Sequence, residues 1–464
     1  MAIVQISRIQ HRRGRKLEGA GMPQLSSGEL GWAIDTQELY IGNGSVSEGS
    51  PTVGNTRLLT EHDNIIDFAV NYSYKDGVIQ TGEFLSTPVY RTLQQRLDER
   101  VTLASFGATG DGTDQTANIQ RALDQLYLNP TTKTDASSRI AIHFPPGEYL
   151  ITDTIYVPPY ATIIGAGKGK TVLISDNVTV FKTVNSDSEP GSYADDFSST
   201  IFNQPRDITI SGLTIQCSGE NPAIILSSCV DSVFQDISIV GDWQSGDGES
   251  DKIGISLDGI STPISSNNNR FTNVDVYGFS YAVRSDYDTY YNIFSNSTFK
   301  NCRHGVVFGQ YSSGIVGQQY GPSYNTIETC TFDQIDQHAI WVEFGEYNAS
   351  RGNRFLNVGN DGGSPATATV STVKFVTNTN TSEGDFFLRS ITLALAASSD
   401  PYPLTKYAPD VEGSVTFSNM YKNSTPVGFS NNGGFKNLLK FGSKFGKKTK
   451  KTKKCLTPPA DVLL

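Results

Sequence analysis

Three acidic residues, Asp258, Asp286 and Glu343, recur at one place in a repeated strand and are the side chains best suited to chemistry. Paired carboxylates hydrolyse glycosidic bonds, one as acid and the other as nucleophile or base. If the strands stack about 4.8 Å apart, Asp258 and Asp286 lie near the roughly 5 Å separation of a retaining glycosidase. Asp286 and Glu343, two strands apart, fall nearer the longer inverting separation.

A second interpretation leaves these acids in solvent as ordinary outward-facing residues. Arg284 then pairs with Asp258 or Asp286, a contact that adds little stability at a surface. We favour this interpretation and lean against an enzyme; if the chain is one, we expect a glycoside hydrolase acting on bacterial surface polysaccharide.

Sugar binding without cleavage is a further hypothesis for the same region. Trp341 offers a flat ring on which a sugar can stack, and Arg284 stands in the same outward column. Tyr311 and Tyr320 lie in an insertion rich in Tyr, Asn and Ser, a composition suited to contacting glycans or a neighbouring protein.

The stretch from Asp242 to Lys252 is a weak candidate for a metal site. Asp247, Glu249 and Asp251 alternate as in a calcium loop, but Lys252 stands where an EF-hand loop needs glycine. We therefore favour a solvated acidic loop and expect no metal and no other cofactor.

The cysteines and histidines show no spacing typical of metal sites or disulfide frameworks. The cysteines before residue 360 are interpreted as small buried hydrophobic residues: Cys217, Cys229, Cys302 and Cys330. Three of the five histidines are interpreted as turn or edge residues without acid–base partners: His143, His304 and His338.

The strands that carry these side chains belong to a repeat between Ile208 and Asn360. Each unit has an apolar residue, a turn-type residue two later, and apolar residues at three and five. Six units start at Ile210, Phe234, Phe271, Phe294, Ile327 and Phe355. Their turn residues, which mostly tolerate a left-handed backbone and so predict a corner, are Gly212, Asp236, Asn273, Asn296, Thr329 and Asn357. Two residues before four of the units stand asparagines predicted to form an amide ladder: Asn269, Asn292, Asn325 and Asn353.

A second strand follows each corner and begins with a small residue. These strands start at Ala223, Gly254, Ala282, Gly305 and Ala339. Alternation points one residue of each outward: Ile225, Ser256, Arg284, Val307 and Trp341. A constant core frame with unequal intervals is typical of a parallel β-helix, because insertions leave its coils sideways.

Upstream of the repeat, VTLASFGATGDGTDQTANIQRALDQL from Val101, IAIHFPPGEYLI from Ile140 and IIGAGKGKTVLI from Ile163 resemble the entry segment of the pectate-lyase-like β-helix family, common in phage tailspikes. The resemblance implies a right-handed parallel β-helix. Asp114 or Thr116 can cap a helix from about Ala117 to Leu126, whose apolar side would close the open end.

The N-terminus resembles a second family. VQISRIQHRRG from Val4 and LSSGELGWAIDTQELYIGNGS from Leu25 are similar to the small N-terminal domain of phage tail fibres and tropism determinants. In that family the domain joins the fibre to the baseplate and helps three chains assemble. The resemblance therefore implies a homotrimer in the tail of a virion.

The fold class expected is all-β, since 18% charged residues and abundant Gly, Ser, Thr and Asn suit short strands and turns. No apolar run reaches the roughly 18 residues of a membrane helix. The expected organisation is an attachment domain over 1–65, a linker over 66–100, the β-helix over 101–365, a β-rich segment over 366–432 and a basic tail over 433–464.

The basic tail carries nine lysines from Lys436 to Lys454. Phe441 and Phe445, followed by Lys447 and Lys448, predict a segment that docks on another virion protein. A nucleic-acid or membrane-surface arm and a disordered end remain open, but we do not expect nucleic acid as a partner.

Three functions remain in competition. The leading hypothesis is a trimeric tail component that attaches to the baseplate and supports host adsorption or a distal receptor-binding protein. The alternatives are a tailspike depolymerase that hydrolyses host polysaccharide and a glycan-binding module without activity.

Overall fold

The computed structural model describes residues 11–16, 22–49, 53–60, 91–129, 139–194, 198–261, 264–287, 289–309, 321–359, 372–375 and 380–388, with short strands between 410 and 426. The chain divides into a unit of residues 1–100 and a unit of residues 101–464. The predicted contact residues Tyr311, Tyr320, Phe441, Phe445, Lys447 and Lys448 lie outside the described residues.

The first unit contains a four-stranded sheet, and buried and partly exposed side chains alternate along its two central strands. Leu30–Ala33 and Glu38–Gly42 form an antiparallel hairpin, whose inward side chains Ala33 and Tyr40 pack with Leu25. His11–Gly14 pairs in parallel with the first of these strands and Asn55–Leu58 antiparallel with the second. A 3-10 turn, Val46–Glu48, and a short helix, Leu93–Leu97, complete the unit's described helical elements.

The second unit is a right-handed parallel β-helix, as predicted. Its longer sheet bends at a corner in each coil, so that consecutive short strands belong to one sheet. These strands are Val101–Thr102, Asp111–Asp114, Ile142–Phe144, Gly147–Ile151, Thr162–Gly165, Thr171–Asp176, Thr209–Ser218, Val233–Val240, Arg270–Tyr277, Ile293–Ser295, Thr298–Cys302, Thr326–Glu328, Thr331–Ile335, Ala349–Arg351, Arg354–Val358, Thr381–Glu383, Phe386–Leu388, Thr416–Ser418, Tyr421–Lys422 and Thr425–Pro426.

A second sheet closes each coil and carries the acidic residues. Its strands are Ile155–Val157, Phe181–Thr183, Ile224–Ser227, Ile253–Ser261, Tyr281–Ser285, His304–Phe308, Ile340–Val342, Val373–Phe375 and Asp410–Val411, with Ile264–Ser265 folded back antiparallel. Buried apolar side chains from both sheets fill the coils. Phe234, Phe271 and Phe294 stack at 5.1 and 4.5 Å between ring centroids, so equivalent residues meet from coil to coil.

Five of the six predicted corners are confirmed. Gly212, Asp236, Asn273, Asn296 and Thr329 all have φ between 51 and 69°. The sixth, Asn357, has the predicted left-handed backbone, with φ 54°, but its predicted register is wrong, because Phe355 pairs with Phe332 of the strand after the corner, whereas Ile327 pairs with Ser350. Asn357 therefore belongs to the next corner of the coil, and Gly352, with φ 61°, takes the position predicted for it.

The amide ladder is confirmed at Asn269, Asn292 and Asn325 and continues through Asn348 and Asn380. Each side-chain amide donates to the next at 3.0 or 3.1 Å, and all five residues are buried. The prediction for Asn353 is wrong. Its Oδ1 accepts from the backbone N–H of Cys330 at 2.8 Å, which places it in the next column of the coil.

A helix, Thr116–Leu123, packs Ile119, Ala122 and Leu123 into the core at the start of the β-helix. Asp114 accepts from the backbone N–H of Thr116 at 3.0 Å. A 3-10 turn, Leu103–Phe106, precedes the helix and a π-helical turn, Asp124–Leu128, follows it.

The helix also covers the edge of the second sheet. The amide of Gln120 donates to the carbonyl of Tyr156 at 3.1 Å and accepts from its N–H at 2.7 Å. The Gln120 side chain thus satisfies both the N–H and the carbonyl of Tyr156, which would otherwise be open to pairing with another strand.

Candidate functional site

The predicted outward column exists as a continuous register. Ile225 pairs with Ser256, Ser256 with Arg284, Arg284 with Val307, and Val307 with Trp341. Asp258 follows two residues later on its strand, and Asp286 and Glu343 come directly after the ends of theirs. The structure therefore places the three carboxylates at matching positions of three coils, and Gly309 occupies the coil between Asp286 and Glu343.

Each carboxylate of the column is engaged by a residue of its own strand. Ser256 donates to Asp258 at 2.5 Å. Arg284 holds Asp286 Oδ2 through Nε and Nη2 at 2.8 and 2.7 Å, while Asp286 Oδ1 is buried. These contacts resemble the pairing expected of structural acids.

Glu343 is tied to the tryptophan beside it. Trp341 Nε1 donates to Glu343 Oε2 at 2.7 Å, and Lys374 Nζ lies 3.8 Å from the same oxygen. The ammonium of Lys374 also lies 4.3 Å from the centroid of the Trp341 ring. A sugar stacking on the ring would have to share it with this cation.

The outward face around Trp341 is covered. Val307, predicted to point out, is completely buried, because it forms a small cluster with Ile253, Tyr281 and Trp341 on the outside of the sheet. His304 extends this cluster and stacks 5.0 Å from Tyr281.

His304 and His338 lie against this cluster. Their rings stack at 5.8 Å, and the ring of His338 meets the edge of Trp341 at 5.1 Å. Burial, followed by the charge of His338, holds the pKa of His304 well below its usual range, so its imidazole is neutral. Both are packing residues of the outer face.

The acidic loop lies over this face and is not fully solvated. Asp247 accepts from the N–H of Gln244 at 2.9 Å, Glu249 accepts from the hydroxyl of buried Tyr281, and Asp251 lies 3.4 Å from Arg284. The three acids thus serve different partners. Among the described residues, no group of three or more metal-binding side chains converges.

The loop is anchored at two further points. Trp243 is 3% exposed, and Ser245 donates to Asp336 at 2.7 Å across several coils. The insertion therefore acts as a strap along the second sheet.

The four predicted buried cysteines are confirmed as free and buried. Burial raises the thiol pKa to about 12 in each, which makes them poor nucleophiles: Cys217, Cys229, Cys302 and Cys330.

Residues 101–336 match the model of the rhamnogalacturonase A/epimerase, pectate-lyase-like family. The chain belongs to this family. Residues 9–46 of this family member match the N-terminal domain of the major tropism determinant, so both resemblances seen in the sequence are confirmed.

Two curated proteins are similar over part of the chain. A putative phage-related protein of Bacillus subtilis is 30% identical over 157 residues, covering 32% of this chain and 16% of that protein. A glucan 1,3-beta-glucosidase of Cochliobolus carbonum is 37% identical over 92 residues, covering 19% and 10%. The chain spans a small part of both relatives.

Two solved structures are similar at low identity. The tailspike protein of E. coli bacteriophage HK620, in complex with a pentasaccharide, is 14% identical with a TM-score of 0.49, over 77% of this chain and 62% of that one. The ORF18 protein of Geobacillus virus E2 is 15% identical with a TM-score of 0.42, over 86% and 70%.

The chain thus combines a tropism-determinant N-terminal domain with a pectate-lyase-like β-helix. Among the described residues, none of the helices combines the length and apolar character needed to cross a bilayer.

A surface that the sequence analysis missed runs along one corner of the β-helix. Tyr291, Tyr324 and Tyr347 stack at 5.2 and 4.9 Å between ring centroids and are 54, 44 and 48% exposed. We call these three residues the tyrosine ladder. A signal was present in the sequence, because each tyrosine directly precedes an asparagine of the amide ladder.

Proposed function

We propose that the chain is the subunit of a homotrimeric phage tail fibre or spike, attached to the baseplate by its first unit and supporting host adsorption with its β-helix. The observation that carries the proposal is the match of residues 9–46 to a tropism-determinant N-terminal domain, in a chain that continues into a pectate-lyase-like β-helix.

The carboxylates of Asp258, Asp286 and Glu343, which we call the acid column, are engaged by neighbouring side chains. This supports a structural role for the second sheet. Asp286 is bound by Arg284, Glu343 by Trp341, and the strap covers the face beside them. A general acid or base needs an oxygen within hydrogen-bond reach of the substrate. Here the buried Oδ1 of Asp286 lacks that access.

Two measurements test this function. We expect mass spectrometry to find the chain in purified virions made from the genome that encodes it, and light scattering to give three times the mass of one chain. A monomer that is absent from virions would refute the proposal. The basic tail remains a predicted docking segment for another tail protein.

Hydrolysis of host surface polysaccharide is the second candidate, favoured by the register of Asp258, Asp286 and Glu343 on stacked coils. Its test is release of oligosaccharides from capsule or lipopolysaccharide by the purified chain. Release that Asp286→Asn abolishes would establish the enzyme. We expect no release, and Asp286→Asn should then leave adsorption unchanged.

A further inference from the structure

The tyrosine ladder ends at a recess. Asn268 takes the corner position before Tyr291, with its N–H bonded to the Tyr290 carbonyl at 3.0 Å. Its side chain is too short to continue the stack. A recess of about 390 Å³ opens there, lined by Asp231, Asn268, Arg270 and Tyr291 with parts of the adjoining strands.

We propose that this recess binds one pyranose ring of a neutral surface glycan, with Tyr291 as the stacking platform. The inference rests on the proposed role in adsorption and names the chemical group that the β-helix contacts. The sugar would occupy the place at which a fourth ring of the ladder would stand.

The lining favours a sugar over other ring-shaped ligands. Tyr291 supplies an aromatic surface, and such surfaces hold the apolar faces of rings. Arg270 supplies donors, and the carboxylate of Asp231 is an acceptor already oriented by Asn268, whose Nδ2 donates to it at 3.1 Å. A wholly apolar ring would desolvate these groups without replacing their hydrogen bonds.

The charge of the lining favours a neutral sugar. Arg270 and Asp231 carry opposite charges and balance each other within the recess. A phosphate or a uronic acid would be attracted by Arg270 and repelled by Asp231, so its negative charge would bring no net electrostatic gain.

The corner itself does not require tyrosine. Asp207, Asp231 and Asn268 occupy the same column with φ between 54 and 57°, and Asp and Asn adopt this conformation readily. Tyr291 and Tyr324, both with φ 59°, are disfavoured there. Exposed aromatic side chains at a backbone position that disfavours them point to a use at the surface.

The test measures binding of the full-length chain to an array of immobilised neutral oligosaccharides and bacterial O-antigens. We expect Tyr291→Asn to weaken binding roughly three- to tenfold, since it removes one stacking contact and keeps a residue that tolerates the corner. Arg270→Ala, which leaves the ladder intact, should also weaken binding.

Tyr160→Asn is the matched control. Tyr160 also has a left-handed backbone, with φ 67°, but its ring is covered by the Arg139 guanidinium at 3.5 Å and lies away from the recess. This variant should bind the array as the unchanged chain does.

Two results would overturn the inference: no binding of the unchanged chain to any sugar on the array, or equal binding by Tyr291→Asn. Equal binding together with an altered oligomeric state would assign the ladder to contacts between subunits. Immunodetection in virions reports the proposed function separately. A chain present in virions without Tyr291-dependent binding refutes only the glycan site.

Discussion

Replacing Asn325 by alanine tests whether the amide ladder holds the coils in register. Asn325 is completely buried, and its side chain makes four hydrogen bonds of 3.0 Å. Oδ1 accepts from the backbone and side-chain N–H groups of Asn292. Nδ2 donates to the carbonyl of Thr289 and to Oδ1 of Asn348.

The expected loss follows from what each partner retains. After the substitution, Asn292 Nδ2 still donates to the Ser266 carbonyl, Asn348 Oδ1 still accepts from the backbone of residue 325, and the Thr289 carbonyl still accepts from the N–H of Ser323. The backbone N–H of Asn292 keeps no described partner. An orphaned buried N–H costs about 1–3 kcal/mol and each of the three other lost bonds about 1, so the free energy of unfolding should fall by about 4–6 kcal/mol.

Urea unfolding of the full-length chain, followed by circular dichroism, measures this difference. Asn221→Ala is the matched control, because exposed Asn221 donates two hydrogen bonds to Asn177. It should cost about 1 kcal/mol or less. Equal losses in the two variants would refute the idea that the ladder stabilises the coils beyond an ordinary surface contact.

Two further predictions concern a buried acid and a close backbone contact. Burial raises the pKa of Asp385 to about 6, so the folded chain binds this proton more tightly than the unfolded one. The contribution of Asp385 to stability should therefore fall by about 3 kcal/mol as the pH rises from about 3 to about 7, and the difference in thermal midpoint between the unchanged chain and Asp385→Asn should change with it. A difference between the two chains that does not change with pH would contradict this. A Cβ on Gly165 would lie 2.2 Å from the Gly212 carbonyl oxygen, so Gly165→Ala should lower stability by about 1–3 kcal/mol. Gly248→Ala, with open space around its Cβ, should unfold like the unchanged chain.

The corner positions were predictable because a left-handed backbone conformation restricts the residue types that can occupy them. Gly, Asp, Asn and Thr at one fixed offset identify the left-handed position without any tertiary information. The error at Asn353 arose because the coil has two successive corners with the same local pattern. Asn325 and Asn353 each precede an apolar residue by two positions, and only the pairing of Ile327 with Ser350 separates the two columns.

The orientation of the second strand was predictable, but its exposure was not. Alternation correctly put Val307 and Trp341 on the outer face, since alternation depends only on the pleat. Their burial depends on the course of the strap, which reaches Asp336 through Ser245, and on His304 and Tyr281 from other coils. No local pattern in residues 242–252 specifies that path.

The contrast between the two outer surfaces bears on where a glycan would bind. On the second sheet the polar groups engage one another: Asp286 with Arg284 and Glu343 with Trp341. A ligand there would have to break contacts before making its own. Along the corner, Tyr291 is more than half exposed in a backbone conformation that other residue types adopt more easily. Local sequence and local structure disagree at that residue, and such disagreements concentrate where function outweighs stability. The physical case for receptor contact is therefore stronger at the end of the tyrosine ladder than in the acid column.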